Sequence, residues 1–385
     1  MNQREVMELI RQSKSLPALT AALIQSDADE ALYNWAMRYY LDVKARERGI
    51  PLKGTFELTP MCNLDCKMCY VHLNAEQMKG QKLLPAEKWE QIMSEAIDAG
   101  MMYAALTGGE CLISPDFDRL YLYLHSRGVQ VSILTNAVLL DADRVEFFRK
   151  HPPSGIQATL YGADDDAYER VTGKRLFGRV MENLRRVDEA GMPLVITVTP
   201  NEYLLEGEDE MLLRAASTVG ADFHVNSGLM TPRESTGRSD GFRDIDIEDY
   251  MRLFKLEIAL KGKYQPTECV EELPDPSTEA SESPRGLRCG GGRSSFNVTW
   301  DGNLIPCNRL RHLSAKPLET GFADAWKHVN AQVKDYLLPC ECETCPYQPA
   351  ARTCAASHEA QPGHADPEQC KWCRAMVKHG LARTK

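Results

Sequence analysis

Cys62-Asn63-Leu64-Asp65-Cys66-Lys67-Met68-Cys69 sets three cysteines at C-x3-C-x2-C spacing, directly after the apolar run Thr55-Phe56-Glu57-Leu58-Thr59. Pro60 and Asn63 resist helix and let the segment fold back, so that several thiolates converge on one centre. A cubane iron-sulfur cluster normally takes one thiolate on each of its four irons, and three close-set cysteines with no local fourth leave one iron open to another ligand. Clustered thiolates also build zinc sites. Zinc usually takes C-x2-C pairs, however, and the first spacing here is wider.

The apolar run before the cysteines starts a repeating pattern. Short strand-like runs at 54–59, 102–107, 129–134, 155–160, 193–199 and 222–226 alternate with amphipathic stretches. Pro85 and Gly100 bracket one helix, and Val180, Leu184 and Val187 stripe another that ends at Gly191. Strand and helix in alternation build a parallel sheet from βα units. The spacing therefore predicts an α/β fold. Residues 1 to about 50 read as helical, with Leu32, Trp35, Ala36, Tyr39, Tyr40 and Val43 as a broad apolar stripe.

Composition narrows the function classes. The 385 residues carry a formal charge of -10, which argues against nucleic acid as the main partner because phosphate binding needs a basic face. No run of about 18 apolar residues occurs, and the polar start, Met1 to Lys14, lacks signal-peptide character, so the reading is of a cytoplasmic protein without membrane partners. Thirteen cysteines in that compartment point to metal or cluster ligation rather than disulfides.

The cysteine triplet, together with Leu106-Thr107-Gly108-Gly109-Glu110 at the end of the second strand, resembles the signature of the radical S-adenosylmethionine (SAM) enzymes. The resemblance extends over nearly all of the chain beyond residue 50. It implies a partial (β/α)6 TIM-like barrel with its chemistry at the C-terminal strand ends, which is where both motifs fall. It implies that Cys62, Cys66 and Cys69 hold a 4Fe-4S cluster whose open iron binds SAM. The Gly108-Gly109 backbone and the Glu110 acid would hold the SAM amino group, with Met68 and Thr107 as further SAM-binding residues. Ile133-Leu134-Thr135-Asn136 resembles the family's TNG stretch, with Ala137 in place of the usual glycine, and Asn136 is a SAM-binding candidate. Thr159, in Ile156-Gln157-Ala158-Thr159-Leu160-Tyr161-Gly162, would lie on the ribose side. In the family, reduction of the cluster releases a 5′-deoxyadenosyl radical that abstracts hydrogen.

Eight cysteines lie from Cys289 onward. Cys289 and Cys307 bracket Phe296-Asn297-Val298-Thr299-Trp300-Asp301-Gly302-Asn303-Leu304-Ile305, two strand-like runs around an Asp-Gly turn and hence a hairpin. This pattern resembles the opening of a SPASM domain, which carries two auxiliary iron-sulfur clusters. By that analogy Cys289, Cys307 and Cys370 serve one cluster, with Cys340 or Cys269 as a fourth ligand or the position left open. Cys342, Cys345, Cys354 and Cys373 serve the other. The x8 gap before Cys354 and the close Cys370-x2-Cys373 pair depart from the family pattern, which leaves the pairing open, and a zinc ribbon is the competing reading.

The organisation expected is a helical segment over 1–53, a radical SAM core over 54–264, an acidic linker over 265–287 and a SPASM domain over 288–385. Glu271, Glu272, Asp275 and Glu279 among prolines and serines give the linker too little apolar surface to order itself. The resemblance implies a maturase that crosslinks a ribosomally made precursor peptide through a thioether or carbon-carbon bond. Its electrons would come from a flavodoxin or ferredoxin, and a separate protein would read the leader peptide. Competing readings are a formylglycine-forming maturase, a small-molecule dehydrogenase, and a non-catalytic iron-sulfur or zinc protein. No residue stands out as a general acid or base.

Overall fold

The computed structural model describes residues 3–13, 15–26, 29–226, 233, 247–261, 287, 289–337 and 356. They fall into two compact units, one holding the described residues of 1–52, 264–295 and 330–385 and the other those of 53–263 and 296–329.

The first unit begins with α1 (Gln3–Gln12), α2 (Leu16–Gln25) and α3 (Glu30–Arg48). Three helices therefore occupy the stretch read as helical. Each start is written locally: Ser15 accepts a hydrogen bond from Ala18 N and Asp29 from Leu32 N, which satisfies end donors that a helix cannot pair itself. Gly49, at φ 66°, closes α3. Val6, Ile10, Leu19, Leu23, Ala36 and Tyr40 form a small core of their own.

The second unit is the βα repeat. Its elements run β1 (Lys53–Glu57), α4 (Ala86–Asp98), β2 (Tyr103–Thr107), α5 (Phe117–His125), β3 (Gln130–Thr135), α6 (Ala142–Lys150), β4 (Gly155–Leu160), α7 (Asp165–Thr172), α8 (Phe177–Glu189), β5 (Leu194–Val198), α9 (Glu208–Ser217), β6 (Asp222–Val225) and α10 (Ile247–Lys261). All six strands pair in parallel in the order β6-β5-β4-β3-β2-β1, an open sheet in the manner of a partial (β/α)6 barrel. The helices are amphipathic as expected. Val180, Met181, Leu184 and Val187 make the buried face of α8, each such side chain contributing about 1.5–3 kcal/mol on burial.

The hairpin is present and extends the same sheet. β7 (Ser295–Val298) and β8 (Leu304–Ile305) pair antiparallel, and β7 lies beside β1. Phe296 meets Phe56 edge to face at 5.9 Å between ring centroids, and Phe56 in turn meets Trp89 of α4. α11 (Pro317–Thr320) and α12 (Phe322–Lys334) follow, and Phe322 and Trp326 close on the same aromatic cluster.

Period 2 along the strands separates two chemistries. Phe56, Leu106, Ile133, Ala158, Ile196 and Phe223 are buried in the apolar core. Residues of the opposite parity are mostly polar: Thr107, Asn136, Gln157, Thr159, Thr197, Thr199, His224 and Asn226. A sheet covered by helices on both faces would be apolar on both. Here one face is kept polar, and the site lies there.

Candidate functional site

The end of β1 and the end of β2 are laced together. Leu58 N donates to Thr107 O at 2.9 Å, Gly109 N to Thr59 O at 2.7 Å and Glu110 N to Met61 O at 2.9 Å. Only glycine fits this approach. A Cβ on Gly108 would lie 2.3 Å from Thr59 O, and one on Gly109 would lie 2.3 Å from Met61 O. Gly108 also holds φ 147°. The Gly-Gly pair thus seats the first turn of the cysteine loop against the second strand.

Backbone amides wrap the loop's sulfurs. Leu64 N donates to Cys62 Sγ at 3.4 Å and His72 N to Cys69 Sγ at 3.2 Å. Asn136 Nδ2, at the end of β3, reaches Cys62 Sγ at 3.5 Å and Asn63 Oδ1 at 2.7 Å. The far side of the loop is held by α7, whose Thr172 O and Val171 O accept from Asp65 N and Lys67 N. Burial pushes the Cys62 thiol up to about 12, against a lowering contribution from the Leu64 N–H. The thiol is therefore protonated at neutral pH, and a metal must displace its proton to bind.

Cys62, Cys66 and Cys69 line one cavity of about 280 Å³. Met68, Thr107, Gly108, Gly109, Asn136 and Thr159 line it too. Glu110 stands apart. Its carboxylate accepts from Thr135 Oγ1 at 2.9 and 3.0 Å, from Asn136 N at 2.8 Å and from Leu112 N at 3.1 Å. The acid that the resemblance sets against the SAM amino group also ties β2 to β3. Burial raises its pKa, and the Asn136, Leu112 and Thr135 donors oppose that rise. Cys111 is buried and its thiol donates to Leu134 O at 3.4 Å, the packing role of a small apolar residue.

Among the described residues, no three His, Cys, Asp or Glu side chains gather closely enough to hold a single metal ion. The three thiols share one cavity. Cys289 is exposed and Cys307 half-buried. Cys269, Cys340, Cys342, Cys345, Cys354, Cys370 and Cys373, with nearly all of the acidic stretch 265–287, lie outside the described residues.

Sequence reading did not pick out Gln157, Thr199, Asn226 and His72, which also line the cavity. The first three carry a signal after the fact, since they share strand parity with Asn136 and Thr159. His72 carries none. It returns to the cavity because the chain turns back after Cys69, and its Nδ1 lies 3.3 Å from Asp65 Oδ1.

Residues 56–215 match the Radical SAM superfamily. Among curated relatives, a probable GTP 3′,8-cyclase of Aeropyrum pernix is 28% identical over 271 residues, 67% of this chain and 74% of that protein. The sporulation killing factor maturation protein SkfB of Bacillus subtilis is 22% identical over 298 residues, 77% of this chain and 68% of that protein. The crystal structure of Streptococcus suis SuiB bound to its precursor peptide SuiA superposes with a TM-score of 0.61 at 17% identity, over 94% of this chain and 90% of that one, a likeness of fold. With the cysteine loop, the Gly-Gly seat and the parallel βα sheet converging on one cavity, residues 56–215 form a Radical SAM domain, and the chain is an enzyme of the radical SAM type.

Proposed function

We propose that this enzyme uses SAM and a 4Fe-4S cluster on Cys62, Cys66 and Cys69 to abstract hydrogen from a ribosomally made precursor peptide, installing a thioether or carbon-carbon crosslink. The observation that carries the chemistry is that the three thiols, the Gly108-Gly109 backbone, Asn136 and Thr159 line one cavity. The donor set, three thiolates at C-x3-C-x2-C spacing rather than in C-x2-C pairs, fits a cluster better than a single zinc. Bound together and reduced, the cluster and SAM supply a hydrogen-abstracting radical.

The chain's own groups would bind and orient. Gly108 and Gly109 line the cavity with backbone alone, and a backbone carbonyl there is an acceptor suited to a ligand's amino group. Glu110 acts by fixing the Asn136 backbone, and Asn136 bridges the cysteine loop and the cavity. Thr159, Thr199 and Asn226 present hydroxyl and amide groups along the floor, suited to ribose or adenine edges. The apolar layer behind the sheet closes that side to water.

The precursor-peptide reading is supported by SkfB, a maturation protein by name, and by the fold shared with SuiB, which was crystallised with its precursor peptide. We further assign auxiliary clusters to the C-terminal cysteines and electron supply to a flavodoxin or ferredoxin. The test is anaerobic incubation with SAM and dithionite, followed by chromatography for 5′-deoxyadenosine and mass spectrometry of short peptides encoded beside the gene, with GTP as the control substrate. Formation of 5′-deoxyadenosine together with a peptide lighter by two hydrogens supports the proposal. Turnover of GTP with every peptide unchanged would replace it with nucleotide chemistry.

A further inference from the structure

Tyr168 is wholly buried in α7, yet its hydroxyl has no hydrogen-bond partner among the described residues. An unpaired buried hydroxyl is destabilising, and phenylalanine would fill the same space without that cost. A polar group kept at such a site needs a partner that arrives later.

The surroundings say which partner. The last turn of α7 gives Thr172 O to Asp65 N and Val171 O to Lys67 N, so the helix is latched to the residues on both sides of Cys66. Its first turn is equally close to the sheet, since a Cβ on Gly162 would lie 2.5 Å from Tyr168 N. The Tyr168 ring stands edge-on to Tyr161, 6.1 Å between centroids, and Tyr161 lines the cavity. Burial first, then the nearby thiols of Cys66 and Cys62, hold the Tyr168 hydroxyl well above the usual tyrosine range. The ring is thus carried by a helix latched on both sides of Cys66 and packed against a cavity-lining tyrosine, with its hydroxyl short of an acceptor.

We propose that the Tyr168 hydroxyl donates a hydrogen bond to a sulfur of the iron-sulfur cluster on its Cys66 side. It is a positioning residue that tunes the cluster, and the assignment rests on the proposed ligation by Cys62, Cys66 and Cys69. Reduction adds negative charge to the cluster sulfurs, so an O–H donor binds the reduced state more strongly than the oxidised one and raises the potential. Removing the donor makes the cluster harder to reduce.

The test compares full-length wild type with Tyr168→Phe, each reconstituted anaerobically. Iron and sulfide are assayed first. The midpoint potential is then followed on the electron paramagnetic resonance signal that changes when SAM is added, which marks the cluster with the open iron. The expected result is equal iron and sulfide, a more negative midpoint for Tyr168→Phe, and a metal-free variant that melts no lower than metal-free wild type. Equal midpoints overturn the inference. So does a lower melting point of the metal-free variant, which would reveal a partner already present, or an unchanged midpoint with weakened SAM binding, which would assign the hydroxyl to SAM. A wild-type protein with no SAM-responsive signal is a different failure, seen at the first step, and it removes the ligation reading and this inference together.

Discussion

Ala137 holds φ 63°, the one left-handed backbone outside glycine among the described residues. For a residue with a Cβ that region costs about 1–2 kcal/mol. The strain is held locally: Ala137 N donates to Thr135 Oγ1 at 3.1 Å, and the buried Asn183 of α8 donates Nδ2 to Ala137 O and Val138 O at 2.9 and 3.1 Å. The sequence shows the departure from the family's glycine at this position but not its consequence, because the conformation is imposed by Asn183, 46 residues away. Ala137→Gly relieves the strain while losing a buried methyl and gaining unfolded-state entropy. Ala158→Gly, at a wholly buried strand position without left-handed backbone, takes both losses and relieves nothing. Urea denaturation should therefore find Ala137→Gly about 1–2 kcal/mol less costly than Ala158→Gly. Equal costs would mean that residue 137 carries no backbone strain.

Elements are where the sequence was most legible. β4 spans Gly155–Leu160 as read, and the other strands differ by a residue or two at their ends, because apolar runs bounded by glycine and proline mark existence better than termini. β1 stops at Glu57 rather than 59 because the chain must turn at Pro60 to present the cysteines. The hairpin was visible in its Asp-Gly turn, but its docking beside β1 depends on Phe296 meeting Phe56, a contact between residues 240 positions apart that no local pattern encodes. The join of β2 to the cysteine loop is equally non-local, and it can be tested. Gly109→Ala drives a methyl onto the Met61 and Pro60 carbonyls, which are backbone and cannot swing aside. A loss of about 1–3 kcal/mol in stability is expected, along with weaker SAM binding by calorimetry on reconstituted protein. Gly178→Ala is the control. It has no atom within 4 Å of the new Cβ and sits in α8, where alanine favours the helix. Undisturbed SAM binding by Gly109→Ala would show that the loop is not seated by this strand end.

At the scale of the whole molecule, the chain separates its chemistry by region. Five of the thirteen cysteines precede residue 289, and three of those five line the cavity. The other eight lie from Cys289 onward. Family resemblance reached the first group because a local loop and a glycine pair carry it. The second group departs from the family spacing, so its ligand pairs cannot be read from order alone. Metal counting separates the two groups without knowledge of the substrate. Anaerobically reconstituted wild type should carry about twelve irons and as many sulfides per chain, as three cubane clusters require. The triple variant Cys62→Ala, Cys66→Ala, Cys69→Ala should fall to about eight, because each cubane carries four irons. A drop from about four irons to none, with zinc retained in both samples, would keep the radical centre and make the C-terminal cysteines a zinc module instead. Iron that stays equal in the two proteins would separate the cysteine loop from cluster binding and leave its Gly108-Gly109 seat a purely structural device.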